Sequence, residues 1–323
     1  LTSPPAHLME LPRKILIGDG VISSLSDFVQ DIGCVGSKIA FVTGRTVKKR
    51  AGAECESSFK AFQVENTWHI VEDSSVSSVL KLKRSLSKEI PDFLIAIGGG
   101  RAVDIAKMTA FHLNKPFISV PTSASHDGIA SPFVSIRGST KPFSIKAKTP
   151  LGVLADTSLL AEAPVRLMAS GCGDLVAKIT ATKDWELARD ENNEYFGSYA
   201  ANLACMSAKI ILNESKELRI NKRYGIRIVV EALISAGVAA CIAGSSRPCS
   251  GAEHLFSHAV EYLVGQNYGL HGERVGLGTI MMAKLGAHNG NVGISRRANK
   301  SEADKSKRRT GSELLDSCTN LET

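Results

Sequence analysis

Residues 93–97, Phe-Leu-Ile-Ala-Ile, run straight into Gly98, Gly99 and Gly100, and a helical pattern opens directly after them. Few folds accommodate that order. A strand apolar on both faces belongs inside a parallel sheet covered by helices on either side. A glycine turn at its C-terminal end lets a ligand approach the backbone, and the N–H groups and positive dipole end of the next helix favour a pyrophosphate. A plain loop also accepts three glycines. The spacing is not G-x-G-x-x-G, so an ordinary Rossmann dehydrogenase fits poorly.

The flanking sequence extends the same reading. Short β-branched or aromatic runs at 38–43, 68–71, 93–97, 117–120 and 153–155 alternate with helical patterns at 21–31, 77–90 and 103–113, the order of a parallel sheet with crossover helices. From about residue 161 the apolar period becomes 3.6, and 174–189, 198–218, 225–243, 251–264 and 272–288 read as helices. With 323 residues the chain has material for about two domains. The expected division is a dinucleotide-binding α/β domain over 9–160 and an all-helical metal and substrate domain over 161–290. The cleft between them is the default place for a ligand. Residues 1–8 carry two prolines ahead of Met9 and read as an unstructured leader. Residues 291–323 read as a polar, solvated tail.

Composition narrows the function classes. The net charge of +7 admits an anionic partner, but no nucleic-acid motif or aromatic–basic stripe is present, so a small phosphorylated substrate is expected rather than nucleic acid. Seven cysteines without a CxxC pair read as reduced thiols of a cytoplasmic protein. No uncharged apolar run approaches the roughly 18 residues of a membrane span, so no membrane insertion is expected. A homo-oligomer is expected.

Three further stretches carry chemistry. After the run at 117–120 come Thr122, Ser123, Ala124, Ser125, His126 and Asp127. The hydroxyls can hold a nicotinamide or phosphate and Asp127 a substrate hydroxyl, or the whole is a polar turn that caps the next segment. His126 is a minor catalytic candidate. After 38–43, Arg45, Lys48, Lys49 and Arg50 suit a ribose 2′-phosphate, or form a solvated helix face. Asp174, His254 and His271 are candidate ligands for zinc or iron, since two imidazoles and a carboxylate suit zinc and leave a position for substrate. His258, one helical turn after His254, is a fourth ligand, a proton carrier or a substrate contact. His7, His69, His112 and His288 read as structural, and Cys172 as a packing residue.

Together GGGRAVDIAK at 98–107, PTSASHDGIASP at 121–132, GSSRP at 244–248, GAEHLFSH at 251–258 and HGERVG at 271–276 resemble the sn-glycerol-1-phosphate dehydrogenase family. These are archaeal-type relatives of glycerol dehydrogenase and 3-dehydroquinate synthase, and the likeness spans about residues 9–285. It implies the dehydroquinate synthase-like fold and one zinc ion per chain, held by Asp174, His254 and His271. NADPH or NADH would lie on Gly98, Gly99, Gly100, Arg101, Ala102, Val103, Asp104, Thr122, Ser123, Ala124, Ser125 and Ser131. Asp127, Asp174 and His258 would be the catalytic residues and touch substrate. Iron-dependent relatives carry a histidine where this chain has Lys178, which argues against the iron arrangement. The reaction implied is reduction of dihydroxyacetone phosphate to sn-glycerol 1-phosphate for membrane phospholipids. The alternatives are oxidation of unphosphorylated polyols or a dehydroquinate synthase-like lyase. Arg247 is the first candidate for the substrate phosphate, with Lys146 and Lys178 behind it. The family's C-terminal helices have no counterpart in the polar sequence after residue 289.

Overall fold

The structure is a computed structural model that describes residues 7–34, 36–60, 62, 64–138, 144–264 and 268–298, by backbone alone beyond 286. The first six residues of the expected leader, the side chain of His288 and the tail from 299 lie outside the described residues. The strands are β1 (Lys14–Gly18), β2 (Lys38–Thr43), β3 (Glu65–Ile70), β4 (Phe93–Gly98), β5 (Phe117–Pro121), β6 (Phe133–Val134), β7 (Ile145–Lys146) and β8 (Gly152–Asp156). Six of them form one parallel sheet in the order β1-β8-β5-β4-β2-β3, while β6 and β7 pair antiparallel.

Alternation along the strands builds a core on each face of the sheet. Ile39, Phe41, Phe93, Ile95 and Ile97 pack with residues of α1 (Leu25–Asp31) and α2 (Arg45–Ser58). Ala40, Val42, Leu94 and Ala96 pack on the other side with α3 (Val76–Leu86) and α4 (Gly100–Leu113). Residues 93–97 are therefore apolar without a break because every one of them is buried. The second half is helical: α5 (Thr157–Ala161), α6 (Val165–Val176), α7 (Lys178–Asn192), α8 (Ser198–Asn213), α9 (Ser215–Ile220), α10 (Lys222–Ala243), α11 (Ala252–Val264) and α12 (His271–Ala298). β8 joins the halves, with Leu154 in the sheet core and Val153 and Ala155 in a core shared with α6, α8 and α10.

Several boundaries differ from the sequence expectation. The expected helix at 174–189 is α6 and α7, broken at Ala177, and that at 198–218 is α8 and α9, broken at Glu214. The last helix runs eight residues past the expected end of the second domain at 290. β1 was not expected, and of α2 only a solvated helix face at 45–50 was offered, as one of two readings. β1 is an edge strand whose residues are all exposed or half-buried, and α2 buries only Ala51, Gly52 and Cys55, so neither carries a strong apolar period.

Two features of the helical half place the site. A Cβ on Gly272 would fall on the Ser170 carbonyl, and one on Gly173 on the Gly272 carbonyl. Glycine at both lets α6 and α12 touch backbone to backbone, which brings Asp174 beside His271. α10 is long and apolar enough to cross a membrane by length and composition, with mean hydropathy 2.0, yet 67% of that window is buried within the protein. It serves as the central helix of this half.

Candidate functional site

Two cavities lie on either side of the glycine turn. The larger, about 560 Å³, is lined by Gly98, Gly99, Gly100, Arg101 and Ala102 from the turn, and by Thr122, Ser123 and Ser125 from the loop after β5. Arg45, Arg50, Glu72 and Glu162 close its outer end. Arg45 pairs with Glu72 at 2.6 Å and Arg50 with Glu162 at 3.7 Å, both on the surface. The N-terminus of α4 opens onto this cavity with Gly99 as N-cap and no side-chain cap. Of the residues expected at a cofactor, Val103 and Ala124 face the core instead, and Asp104 and Ser131 line the second cavity.

The second cavity, about 360 Å³, holds Asp127, Asp174, His254, His258 and His271 together with His126. Asp174 stands in the last turn of α6, His254 and His258 one turn apart on α11, and His271 at the start of α12. Asp174 Oδ1 is 3.3 Å from His254 Nε2 and 3.9 Å from His271 Nε2. These three residues offer one donor atom each, all within 4.8 Å of one another. Asp174 Oδ2 accepts the Asp127 N–H at 3.0 Å, which ties the loop after β5 to the cluster.

The surrounding charges fit a cation. Lys178 opens α7 four residues after Asp174, fully buried, with Nζ 2.7 Å from Asp127 Oδ2 and 3.2 Å from Asp174 Oδ1. Burial alone would raise the Asp174 pKa; Lys178 and His254 outweigh it and hold the carboxyl well below its ordinary range. Glu253, also fully buried, takes His254 Nδ1 at 2.8 Å, the Gly251 N–H at 2.7 Å and the Thr180 hydroxyl at 2.8 Å. A carboxylate on one imidazole nitrogen leaves the other free to ligate, the usual second layer of a metal site. Burial would lower the His254 pKa, but Asp174 and Glu253 raise it to about 9, so the pocket attracts positive charge to that nitrogen. At His258 burial dominates, with His254 and Arg274 adding to it, and pushes the pKa down to about 4. His258 is neutral at neutral pH.

The phosphate candidates need correction. Arg247 does not line the cleft; its guanidinium is held bidentate by Glu194, with Nε 2.6 Å from Oε1 and Nη2 on Oε2. Lys178 is spent on Asp127 and Asp174, and Lys146 is exposed on β7 outside the cavity lining. Arg101, Arg137 and Arg274 do line it. Arg274 is engaged by Glu261, the Gly269 carbonyl and Ser257, and Arg101 by the Glu72 carbonyl. Among the described residues no hydrogen bond or salt bridge within 4 Å holds the Arg137 guanidinium, although its charge helps to lower the pKa of Asp73. Glu253 and Arg137 were both missed from sequence. Glu253 is the immediate neighbour of His254, a spacing that no ligand pattern singles out.

Comparison with known proteins bears on the family and the fold. Residues 16–164 match the model of the iron-containing alcohol dehydrogenase family. Over 280 residues the chain is 49% identical to the glycerol-1-phosphate dehydrogenase [NAD(P)+] of Nitrosopumilus maritimus, covering 87% of this chain and 78% of that protein. It is 50% identical over 283 residues to the protein of that name from Cenarchaeum symbiosum, with the same coverage. Among solved structures, glycerol dehydrogenase from Schizosaccharomyces pombe superposes with a TM-score of 0.73 at 20% identity, covering 89% of this chain and 74% of that one. That likeness shows the fold. The two archaeal relatives show the family: this chain belongs to the NAD(P)-dependent glycerol-1-phosphate dehydrogenases.

Proposed function

We propose that the protein is a zinc-dependent reductase that converts dihydroxyacetone phosphate to sn-glycerol 1-phosphate with NADPH or NADH, supplying the glycerophosphate of membrane lipids. The observation that carries this reading is the convergence of Asp174, His254 and His271 in a cleft that adjoins the glycine-turn cavity. Two imidazoles and one carboxylate form a donor set suited to zinc with a position left for substrate. Lys178 stands where a fourth protein donor would complete an iron-type set, and its ammonium is no ligand. The six described cysteines are unpaired, which suits the cytoplasm.

When bound, the metal ion polarises the ketone and the nicotinamide supplies the hydride. The chain's own residues do the rest. The backbone of Gly98–Gly100, at the N-terminus of α4, cradles the pyrophosphate, and the Thr122, Ser123 and Ser125 loop flanks it. Asp104 and Ser131, in the metal cleft, are the cofactor residues nearest the chemistry. Asp127, steadied through Lys178, takes a substrate hydroxyl. His258 is neutral and so relays the proton that the reduction consumes rather than storing it. Arg137 replaces Arg247 as the residue for the substrate phosphate.

The test is oxidation of NADPH dependent on dihydroxyacetone phosphate, with unphosphorylated dihydroxyacetone as the control. Turnover with the phosphate ester and chiral identification of sn-glycerol 1-phosphate are expected. Equal turnover of the unphosphorylated ketone would favour a polyol dehydrogenase instead.

A further inference from the structure

His126, a minor catalytic candidate by sequence, lines the metal cleft and has no task in the proposed function. Its backbone is extended, and its Nδ1 accepts the Gly128 N–H at 3.0 Å. That hydrogen bond places the imidazole proton of the neutral ring on Nε2. The ring lies between two glycines. A Cβ on Gly128 would stand 2.5 Å from Nδ1 and Cε1, and one on Gly100 would collide with Nε2 itself. Alanine at either position would expel the imidazole. The third glycine of the turn thus makes room for a side chain of this protein, whatever else it admits.

The place where Nε2–H is held matters. It stands over Gly100, the first residue of the 14-residue helix α4, where the helix end favours negative charge. His126 lines the metal cleft, whereas Gly100 lines the cofactor cavity, so the donor sits on the border of the two. Its ring centroid is 6.5 Å from that of His271, with the two rings edge to face. The next residue, Asp127, is bound through its N–H to Asp174. A proton donor, a helix N-terminus and a rigid mount on the metal cluster converge on one point.

We infer that His126 is a positioning residue whose Nε2–H donates to a phosphoryl oxygen at the junction of the two cavities. This rests on the dehydrogenase reading, which puts two sources of that group within reach: the pyrophosphate of the cofactor and the phosphate ester of the substrate.

Titration calorimetry on the zinc-loaded protein separates the sources and does not depend on turnover. The probes are ADP-ribose, which carries the pyrophosphate, glycerol 1-phosphate, and adenosine, which carries neither. His126→Phe keeps a ring between the glycines and removes the donor. His126→Gln restores an N–H at about the distance of Nε2. The expected result is about tenfold weaker binding of ADP-ribose to His126→Phe, the loss of one hydrogen bond to a charged oxygen, with adenosine unchanged and His126→Gln within about threefold of the parent protein. The same loss confined to glycerol 1-phosphate supports the inference and assigns the donor to substrate. Unchanged affinity of His126→Phe for both phosphate ligands overturns it while leaving the dehydrogenase reading intact. Failure of the parent protein to bind either ligand overturns both. Should His126→Phe fold poorly, His126→Leu takes its place and is read against His126→Gln: binding of a phosphate ligand weakened about tenfold in His126→Leu and kept in His126→Gln supports a donor, unchanged binding in His126→Leu overturns it, and a tenfold loss for adenosine as well shows a packing role and overturns it.

Discussion

The two cavities use the same kinds of charge at opposite ends of the burial scale. At the mouth of the cofactor cavity, Arg45 and Glu72 meet at 2.6 Å with side chains 78% and 67% exposed. In the metal cleft, Lys178 meets Asp127 and Asp174 with exposures of 0%, 17% and 1%. Water and salt screen the first pair, which leaves it worth little to stability. The second has lost its water, so each charge depends on its partners and removing one strands the rest. The glycine-turn cavity is therefore lined by backbone and small hydroxyls with replaceable charges around it, whereas the cleft of Asp174 and its histidines is a buried ionic unit that fails together.

Substitutions can break or sharpen this contrast. The largest effect is expected for Asp174→Asn, which keeps the shape and removes the charge that Lys178, His254 and His271 share. Elemental analysis should find the protein without zinc, turnover should fall at least a thousandfold, and urea unfolding of the metal-free protein should show a loss of about 3–5 kcal/mol. Retained metal would break the account of a charge-built cluster. Glu253→Gln acts one layer out. It should weaken zinc binding roughly 10- to 100-fold in a competitive chelator titration while the fold persists.

Arg247→Ala lies between the extremes, since Arg247 and Glu194 are each 36% exposed. A cost of about 0.5–1 kcal/mol is expected in denaturant unfolding, with KM for the phosphorylated substrate unchanged. A rise in that KM would return Arg247 to the phosphate site. The smallest effect belongs to Arg45→Ala: no measurable change in the unfolding midpoint, and a change in NADPH affinity that vanishes in 0.5 M salt. A salt-resistant loss would mean that this outer pair is shielded like the inner one.

Legibility in the sequence follows the same division. The strand, glycine turn and helix at 93–113 were readable because burial on both sheet faces and a backbone-lined ligand site leave a local trace. Asp174, His254 and His271 were singled out by residue type, and the structure brings their donor atoms within 4.8 Å of one another. Glu253 left no such trace, because adjacency to His254 says nothing about which way two consecutive helical side chains turn. Arg247 misled for a related reason: an arginine beside a helix start looks the same whether it faces an anion or, as here, Glu194 from 53 residues earlier. β1 depends on its pairing with β8, 138 residues away in register, and its half-exposed pattern is too weak to stand alone. The parts that were hidden are those that long-range partners define.

The central claim is that the cluster of Asp174, His254 and His271 holds the metal on which turnover of a phosphorylated ketone depends. Its most direct measurement is the rate of NADPH oxidation with dihydroxyacetone phosphate before chelation, after exhaustive chelation and after one equivalent of zinc is restored. The account predicts turnover that disappears with the metal and returns with zinc. Turnover indifferent to metal removal, or none from the zinc-loaded protein, would contradict it.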